Sequence, residues 1–274
     1  TLGIITAAVL KLRPKPQAYA TAMVAVPSLA DALTLLHRLQ DETGGGVEAF
    51  EYMPRSYIDK HRQLFKDSQL PFDTEYDVNI MIEVAATMAR DAVPNPDGSL
   101  PVVTALEETL GQMLDEGTVL DAVIAQNETQ RRAIWKRRED AGEVAFFGGV
   151  FVNTDVALPL DKIAAFEAML TPRIKAIDPD ASEVIVAHLG DGNIHHTSYI
   201  SRNDPAAMDA LVEAVEDVVQ ELGGSFSAEH GIGVSKLETM KRRKDPVALD
   251  AMRAIKAALD PNNILNPGKV IPAR

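Results

Sequence analysis

Two histidines bracket a short turn-forming run, His188-Leu-Gly-Asp-Gly-Asn-Ile-His195, and apolar, β-branched residues flank it on both sides. Asp191-Gly192 suits the centre of a two-residue type I′ turn, where both positions need φ > 0. With those two at the tip, Gly190 is expected opposite Asn193, Leu189 opposite Ile194, and His188 directly across from His195. Directly opposed side chains share a sheet face with Cβ atoms roughly 4.5–5.5 Å apart, so two imidazoles could converge on one ion. An ordinary hairpin with two tolerated histidines is the plainer alternative.

Glu229-His230 follows a predicted strand and precedes a glycine-rich turn. A carboxylate brought beside His188 and His195 completes a His₂Glu set that leaves coordination positions open for water or substrate. Zn²⁺, Mn²⁺ and Fe²⁺ all accept such ligands, and the ligand types do not separate them. His230 lies where the strand's alternation weakens, so its ring can reach the same cavity; a loop histidine with no such role is the competing reading. Gly231 and Gly233 allow close backbone approach, but the chain has no Gly-x-Gly-x-x-Gly and no Walker loop. Trp135-Lys-Arg-Arg-Glu139 falls late in a predicted helix. Its arginines are ordinarily solvated, whereas one turned inward is a natural partner for a substrate carboxylate. On the next strand Asn153 and Asp155 alternate with Val152 and Val156, which puts them on one face.

These residues sit in a chain of 274 residues with a formal net charge of −13 and no cysteine. The charge argues against nucleic acid or an acidic membrane surface as partner. Without thiolates, any metal is held by imidazole and carboxylate. No apolar run approaches the roughly 20 residues of a membrane span, and a cytoplasmic location is the expectation. The opening Thr1-Leu-Gly-Ile-Ile-Thr-Ala-Ala-Val-Leu reads as the inside of a buried strand, as though the chain were a piece of a longer one.

Stepping along the sequence, strands are expected at 17–26, 47–53, 77–86 and 119–125, with helices at 29–42, 55–65 and 101–116. This is a β-α-β-β-α-β order with one helix inserted. The order repeats with strands at 149–157, 183–189, 194–200 and 225–228 and helices at 160–177 and 204–222. The expected class is α+β: two ferredoxin-like βαββαβ units forming one antiparallel sheet with helices on one face, plus a mostly helical C-terminal segment.

Three motifs in order carry a resemblance: His188-x-Gly-Asp-Gly-Asn-Ile-His195, Ala228-Glu-His-Gly-Ile-Gly233, and Leu259-Asp-Pro-Asn-Asn-Ile-Leu-Asn-Pro-Gly-Lys269. Together they resemble the C-terminal half of the FAD-linked oxidases of the D-2-hydroxy-acid dehydrogenase group. The resemblance implies that residues 1–13 end an FAD-binding domain, that 14–228 form the substrate domain, and that 229–274 return toward the FAD-binding domain. It implies FAD, held mostly by that other domain, and a divalent metal bound by His188, His195 and Glu229. It further implies His230 as general base, Arg138, Asn153 and Asn193 as substrate contacts, and Gly231, Asn266 and Lys269 near the cofactor. The substrate is a small 2-hydroxy acid. The electron acceptor is left unspecified, a homodimer is left open, and a full-length enzyme could lie peripheral to the inner membrane. The family pattern Lys-x-Asp-Val-x-Val-Pro reads Asn153-Thr-Asp-Val-Ala-Leu-Pro159 here, and Gly142 stands where some relatives carry a small hydroxyl residue. Both departures favour a monocarboxylic acid such as lactate or glycolate. A metal-dependent hydrolase and a non-catalytic metal-stabilised module remain the alternatives.

Overall fold

The computed structural model describes residues 1–273. Its first half runs β1 (Ala18–Val26), α1 (Leu29–Thr43), β2 (Val47–Pro54), α2 (Arg55–Leu64), β3 (Val78–Ala86), α3 (Ala89–Ala92), α4 (Pro101–Asp115) and β4 (Asp121–Ile124). After α5 (Glu128–Glu139) and α6 (Ala141–Ala145) come β5 (Val150–Ala157), a 3₁₀ turn, α7 (Ile163–Ile177), β6 (Ser182–His188), β7 (Asn193–Ile200) and α8 (Pro205–Glu221). The last helices are α9 (Leu237–Arg243) and α10 (Pro246–Leu259).

All strands join one antiparallel sheet in the order β4-β1-β3-β2-β6-β7-β5. The first half follows a βαββαβ path with extra helices inserted and the second a βαββα path, and the two meet edge to edge where β2 pairs β6. In place of the strand expected at 225–228 there is a single bridge, Ala157 to Ser225. The chain arrives there through Gly224, so tightly that a Cβ on it would stand 2.4 Å from the Ala157 carbonyl oxygen. The amides that follow are taken by a side chain instead of a ladder, as described below.

Alternation along the strands divides the core in two. Even-numbered positions of β1 and β3 pack under α1 and α4 and share one core cluster with α7 and α8, the long helices over the second half of the same face. The opposite face is covered in part by the shorter α2, α5 and α6, through Tyr57, Ile58, Ile134 and Val144. Helix starts follow the sequence signals: Ser28, Asp204 and Asp245 each accept a first-turn amide, and Pro205 and Pro246 occupy first-turn positions that need no donor. Residues 1–16 carry no helix or strand, and Ile4, Ile5 and Val9 are 79%, 88% and 102% exposed. The expected opening strand does not form, because the described residues give it no neighbour to pair with. No helix of the described residues is long and apolar enough to cross a membrane.

Candidate functional site

The second face of β6, β7 and β5 carries the polar residues. The hairpin between β6 and β7 pairs His188 with Asn193, and Val186 with His195. This corrects the expected register, in which His188 opposed His195 across a two-residue turn. Leu189 leaves the ladder because its side chain is fully buried, and Gly190 donates its amide to the Phe50 carbonyl of β2 at 3.2 Å. The amides of Asp191 and Gly192 both turn back to the His188 carbonyl, at 3.2 and 3.1 Å. Gly192 has φ 81°, and a Cβ there would stand 2.1 Å from the Leu158 carbonyl oxygen, so this position requires glycine. The register differs from expectation by two residues, and side chains alternate with period two. His188, Asn193 and His195 therefore still share a face, and the imidazole centroids lie 5.4 Å apart.

Buried carboxylates orient these rings. Glu51, opposite His188 across the β2–β6 seam, accepts from His188 Nδ1 at 2.9 Å, which makes Nε2 the ring's acceptor, on the side of Arg138 and Glu229. Burial pushes the Glu51 carboxyl up, but the His188 hydrogen bond and the Arg138 charge more than offset it, leaving it below its ordinary value. The same Glu51 hydrogen bond raises the His188 imidazole, while burial, with Arg138 and His188 nearby, lowers that of His195. Asp155 pairs with His195 in the β5–β7 register, and its Oδ1 lies 3.8 Å from His195 Nδ1.

Glu229 and His230 arrive from the irregular segment between α8 and α9. Glu229 Oε1 lies 3.8 Å from His188 Nε2, 3.3 Å from His195 Nε2 and 3.8 Å from His230 Nε2. Three imidazole nitrogens thus converge on one carboxylate oxygen. Ligand atoms on one tetrahedral ion at about 2.1 Å stand about 3.4 Å from one another, so the donor set and its spacing fit a divalent cation. Among the described residues, the metal-capable atoms that all lie within 4.8 Å of one another are those of Asp155, His195, Glu229 and His230. This group shares His195 and Glu229 with the expected set and differs from it at His188.

The other expected residues divide. Arg138 is turned inward: its side chain is 12% exposed, Nε donates to Glu51 at 2.6 Å, and Nη2 lies 3.1 Å from His188 Nε2. Asn193 is buried on the site face, and its Oδ1 has no hydrogen-bond partner among the described residues. Asn153 donates Nδ2 to Thr197 Oγ1 at 2.8 Å, one step along the face from Asp155. Gly231, Asn266 and Lys269 are exposed together, in two turns joined by a hydrogen bond from the Val270 amide to the Gly233 carbonyl at 2.8 Å. That last motif is held by Asp260, which accepts the Ile264 and Leu265 amides at 2.9 and 2.8 Å and pairs with Lys256. Lys256 and these amides draw the Asp260 carboxyl down to about 2. On α9, Arg242 and Arg243 both pair with Glu216 of α8 and so do not reach the site.

Sequence reasoning missed Glu51 entirely and placed Asp155 only on a shared face. A carboxylate inside the otherwise apolar run Ala49-Phe-Glu-Tyr-Met53 was the available signal, because a buried acid needs a partner.

A fold and a donor set of this kind define a class, and sequence comparison identifies it. The family described as FAD linked oxidases, C-terminal domain, matches residues 15–270, and the chain belongs to that family. It is 29% identical over 282 residues to a D-2-hydroxyglutarate dehydrogenase of Stutzerimonas stutzeri (strain A1501), covering 100% of this chain and 57% of the relative. It is 32% identical to the mitochondrial D-2-hydroxyglutarate dehydrogenase of Bos taurus, covering 99% of this chain and 47% of that protein. The chain therefore spans about half the length of the curated relatives it matches. Among solved structures, p-cresol methylhydroxylase with substrate bound superposes with a TM-score of 0.60 at 13% identity, over 94% of this chain and 54% of that one. For 4-ethylphenol oxidase from Gulosibacter chungangensis in complex with isoeugenol the TM-score is 0.53 at 16% identity, over 97% and 56%. At such identities these two matches speak for the fold alone.

Proposed function

We propose that this chain is the substrate- and metal-binding half of a flavin-dependent enzyme that oxidises a D-2-hydroxy acid to the 2-oxo acid. The observation that supports the reading most is the convergence of His188, His195 and His230 Nε2 on Glu229 Oε1. A divalent cation held by His188, His195 and Glu229 would supply Lewis-acid polarisation of the C2 hydroxyl. FAD, bound mostly by an FAD-binding domain of the same polypeptide, would supply the hydride acceptor.

The chain's own residues do the rest. His230 is 54% exposed and faces the same carboxylate, so its ring stands at the open side of the cluster as the base for the hydroxyl proton. Arg138 is held by Glu51 through Nε, and its outer nitrogens are the cationic edge that orients the substrate carboxylate. Its Nη2 contact with His188 Nε2 and a cation on that nitrogen are alternatives, so with the cation bound Nη2 would be free for the substrate carboxylate. Asn193 Oδ1, buried with no hydrogen-bond partner among the described residues, is a further acceptor on the substrate side. Gly231, Asn266 and Lys269 would face the cofactor.

The narrower proposal is a monocarboxylic substrate, lactate or glycolate. It is supported by Asn153, a neutral amide tied to Thr197, and by Gly142, where an added Cβ would meet nothing within 4 Å. The relatives named for D-2-hydroxyglutarate set its competitor. The test is anaerobic mixing of the flavin-containing protein with single D-2-hydroxy acids while the oxidised flavin's visible absorbance is followed. Bleaching by D but not L enantiomers is expected, and no bleaching by any of them overturns the reading. A higher kcat/KM for hydroxyglutarate than for lactate or glycolate overturns only the narrower part.

A further inference from the structure

Glu229 and His230 pose a positional problem. They sit in a stretch with no helix or strand, between the bridge at Ser225 and the start of α9, and both are about half exposed. A segment with no ladder and little burial ordinarily opens at low cost, yet a metal ligand and a base need fixed places.

One side chain meets that need. Asp155 on β5 is 1% exposed, and its carboxylate accepts the amides of three consecutive residues: Ala228 at 3.2 Å, Glu229 at 3.5 Å and His230 at 2.9 Å. Lys236 Nζ closes the other side, lying 3.2 Å from Asp155 Oδ2, 3.1 Å from the Asp155 carbonyl and 2.9 Å from Ser227 Oγ. Ser227 Oγ in turn donates to the Gly231 carbonyl at 2.9 Å, so the loop is tied on both flanks of Glu229-His230. Consecutive amides wrapped around one anion make a backbone nest, and here the anion is the protein's own.

We propose that Asp155 is a positioning residue, the anchor that holds the Glu229-His230 segment over the sheet so that both side chains face His188 and His195, and that it is not itself a metal ligand. Its Oδ2 already takes the Ala228 and His230 amides and the lysine, and Oδ1 takes the Glu229 amide while lying 3.8 Å from His195 Nδ1. Its Oδ1 faces His195 Nδ1 only at 3.8 Å, too long for the hydrogen bond that Glu51 makes to His188 at 2.9 Å, so its hold on the site runs through the loop amides. Placement explains the economy of the arrangement. Because Asp155 and His195 are register partners, one β5–β7 pair sets both the ring and the loop that must meet it.

This inference rests on the metal-site reading above, and its test separates the two. Hydrogen exchange at the Ala228, Glu229 and His230 amides is measured on the full 274-residue chain stripped of metal, in wild type and in Asp155→Asn. Co²⁺ affinity is measured in parallel from its visible spectrum. The anchor predicts protected amides in metal-free wild type. In Asp155→Asn it predicts lost protection and Co²⁺ affinity weaker by about 10- to 100-fold, the usual effect of removing a residue that orients ligands. Affinity lost with protection intact marks Asp155 as a ligand and overturns the proposal, as does unchanged affinity. Should Asp155→Asn not fold, Lys236→Met carries the same readouts: its amides exchange faster than wild type if the anchor is real, and unchanged exchange overturns it. If wild type takes up no Co²⁺, the metal-site reading fails, and the exchange data still decide whether Asp155 holds the segment.

Discussion

Arg131 and Arg138 stand one heptad apart on α5, and both reach a carboxylate on the same face of the sheet, yet the two pairs differ. Glu83, in the first half, receives Arg131 through two nitrogens at 2.7 and 2.8 Å, Trp135 Nε1 at 2.7 Å and Thr21 Oγ1 at 2.7 Å. Every direction around it is filled by side chains of the protein. Glu51, at the seam with the second half, receives Arg138 through Nε alone and shares its other oxygen with His188. The first arrangement fastens a helix to a sheet. The second leaves Arg138 Nη2 and His188 Nε2 held by each other, at 3.1 Å, a contact that an incoming ligand can replace. Two units of one topology are thus told apart by how completely their buried charges are satisfied.

The sharpest way to break this comparison is to alter one polar side chain on each side. His195→Ala is expected to abolish retention of divalent metal, whereas Glu83→Gln leaves metal content at the wild-type value and lowers stability by about 3 kcal/mol, the low end for a broken buried pair because Arg131 is a quarter exposed. Metal content after dialysis, with denaturant melts alongside, measures both. Metal lost from Glu83→Gln would show that the two carboxylates do the same work.

A smaller effect separates the arginines. Arg138→Met is expected to lower kcat/KM for the hydroxy acid by about 10²-fold, mostly through KM, as befits losing a charge-assisted contact worth ~3 kcal/mol. Arg131→Met should leave kcat/KM within about twofold, since it touches Glu83, Glu128 and Tyr19 and no residue of the cluster. Equal losses in the two variants would erase the distinction.

The smallest effect lies on the helix-covered face. Burial pushes the Glu167 carboxyl up to about 7; the Tyr52 hydroxyl at 3.5 Å pulls the other way, and the charge of Glu183 adds to the rise. A folded-state value above the unfolded one means that the folded protein holds the proton more tightly. Its stability is then full below about 4.5 and falls as pH rises toward about 7. Glu167→Gln should remove that slope, melting higher than wild type at about pH 8 and level with it near pH 4. Parallel curves for the two proteins would contradict it.

Much of this was legible in the sequence because it depends on period and chemistry. The two-residue alternation of β7 put His195 beside Asn193, and a register differing by two residues left the same side chains on the same face. The repeated order of strands and helices pointed to the α+β class. What stayed hidden depends on distance along the chain. Glu51 meets Arg138 from 87 residues away, and Glu83 meets Arg131 from 48, so neither run announces its partner. The strand expected at 225–228 failed for a related reason: the amides at Ala228 and His230 go to the Asp155 side chain, and no local pattern shows that a remote carboxylate will claim them.

The position of a bound divalent cation is the most direct test of the site. A crystal of the chain soaked in Mn²⁺, with diffraction measured for the metal's anomalous signal, should show one peak about 2.0–2.3 Å from His188 Nε2, His195 Nε2 and a Glu229 carboxylate oxygen. A peak elsewhere, or none at this cluster while Arg138 keeps its place against His188, would contradict it.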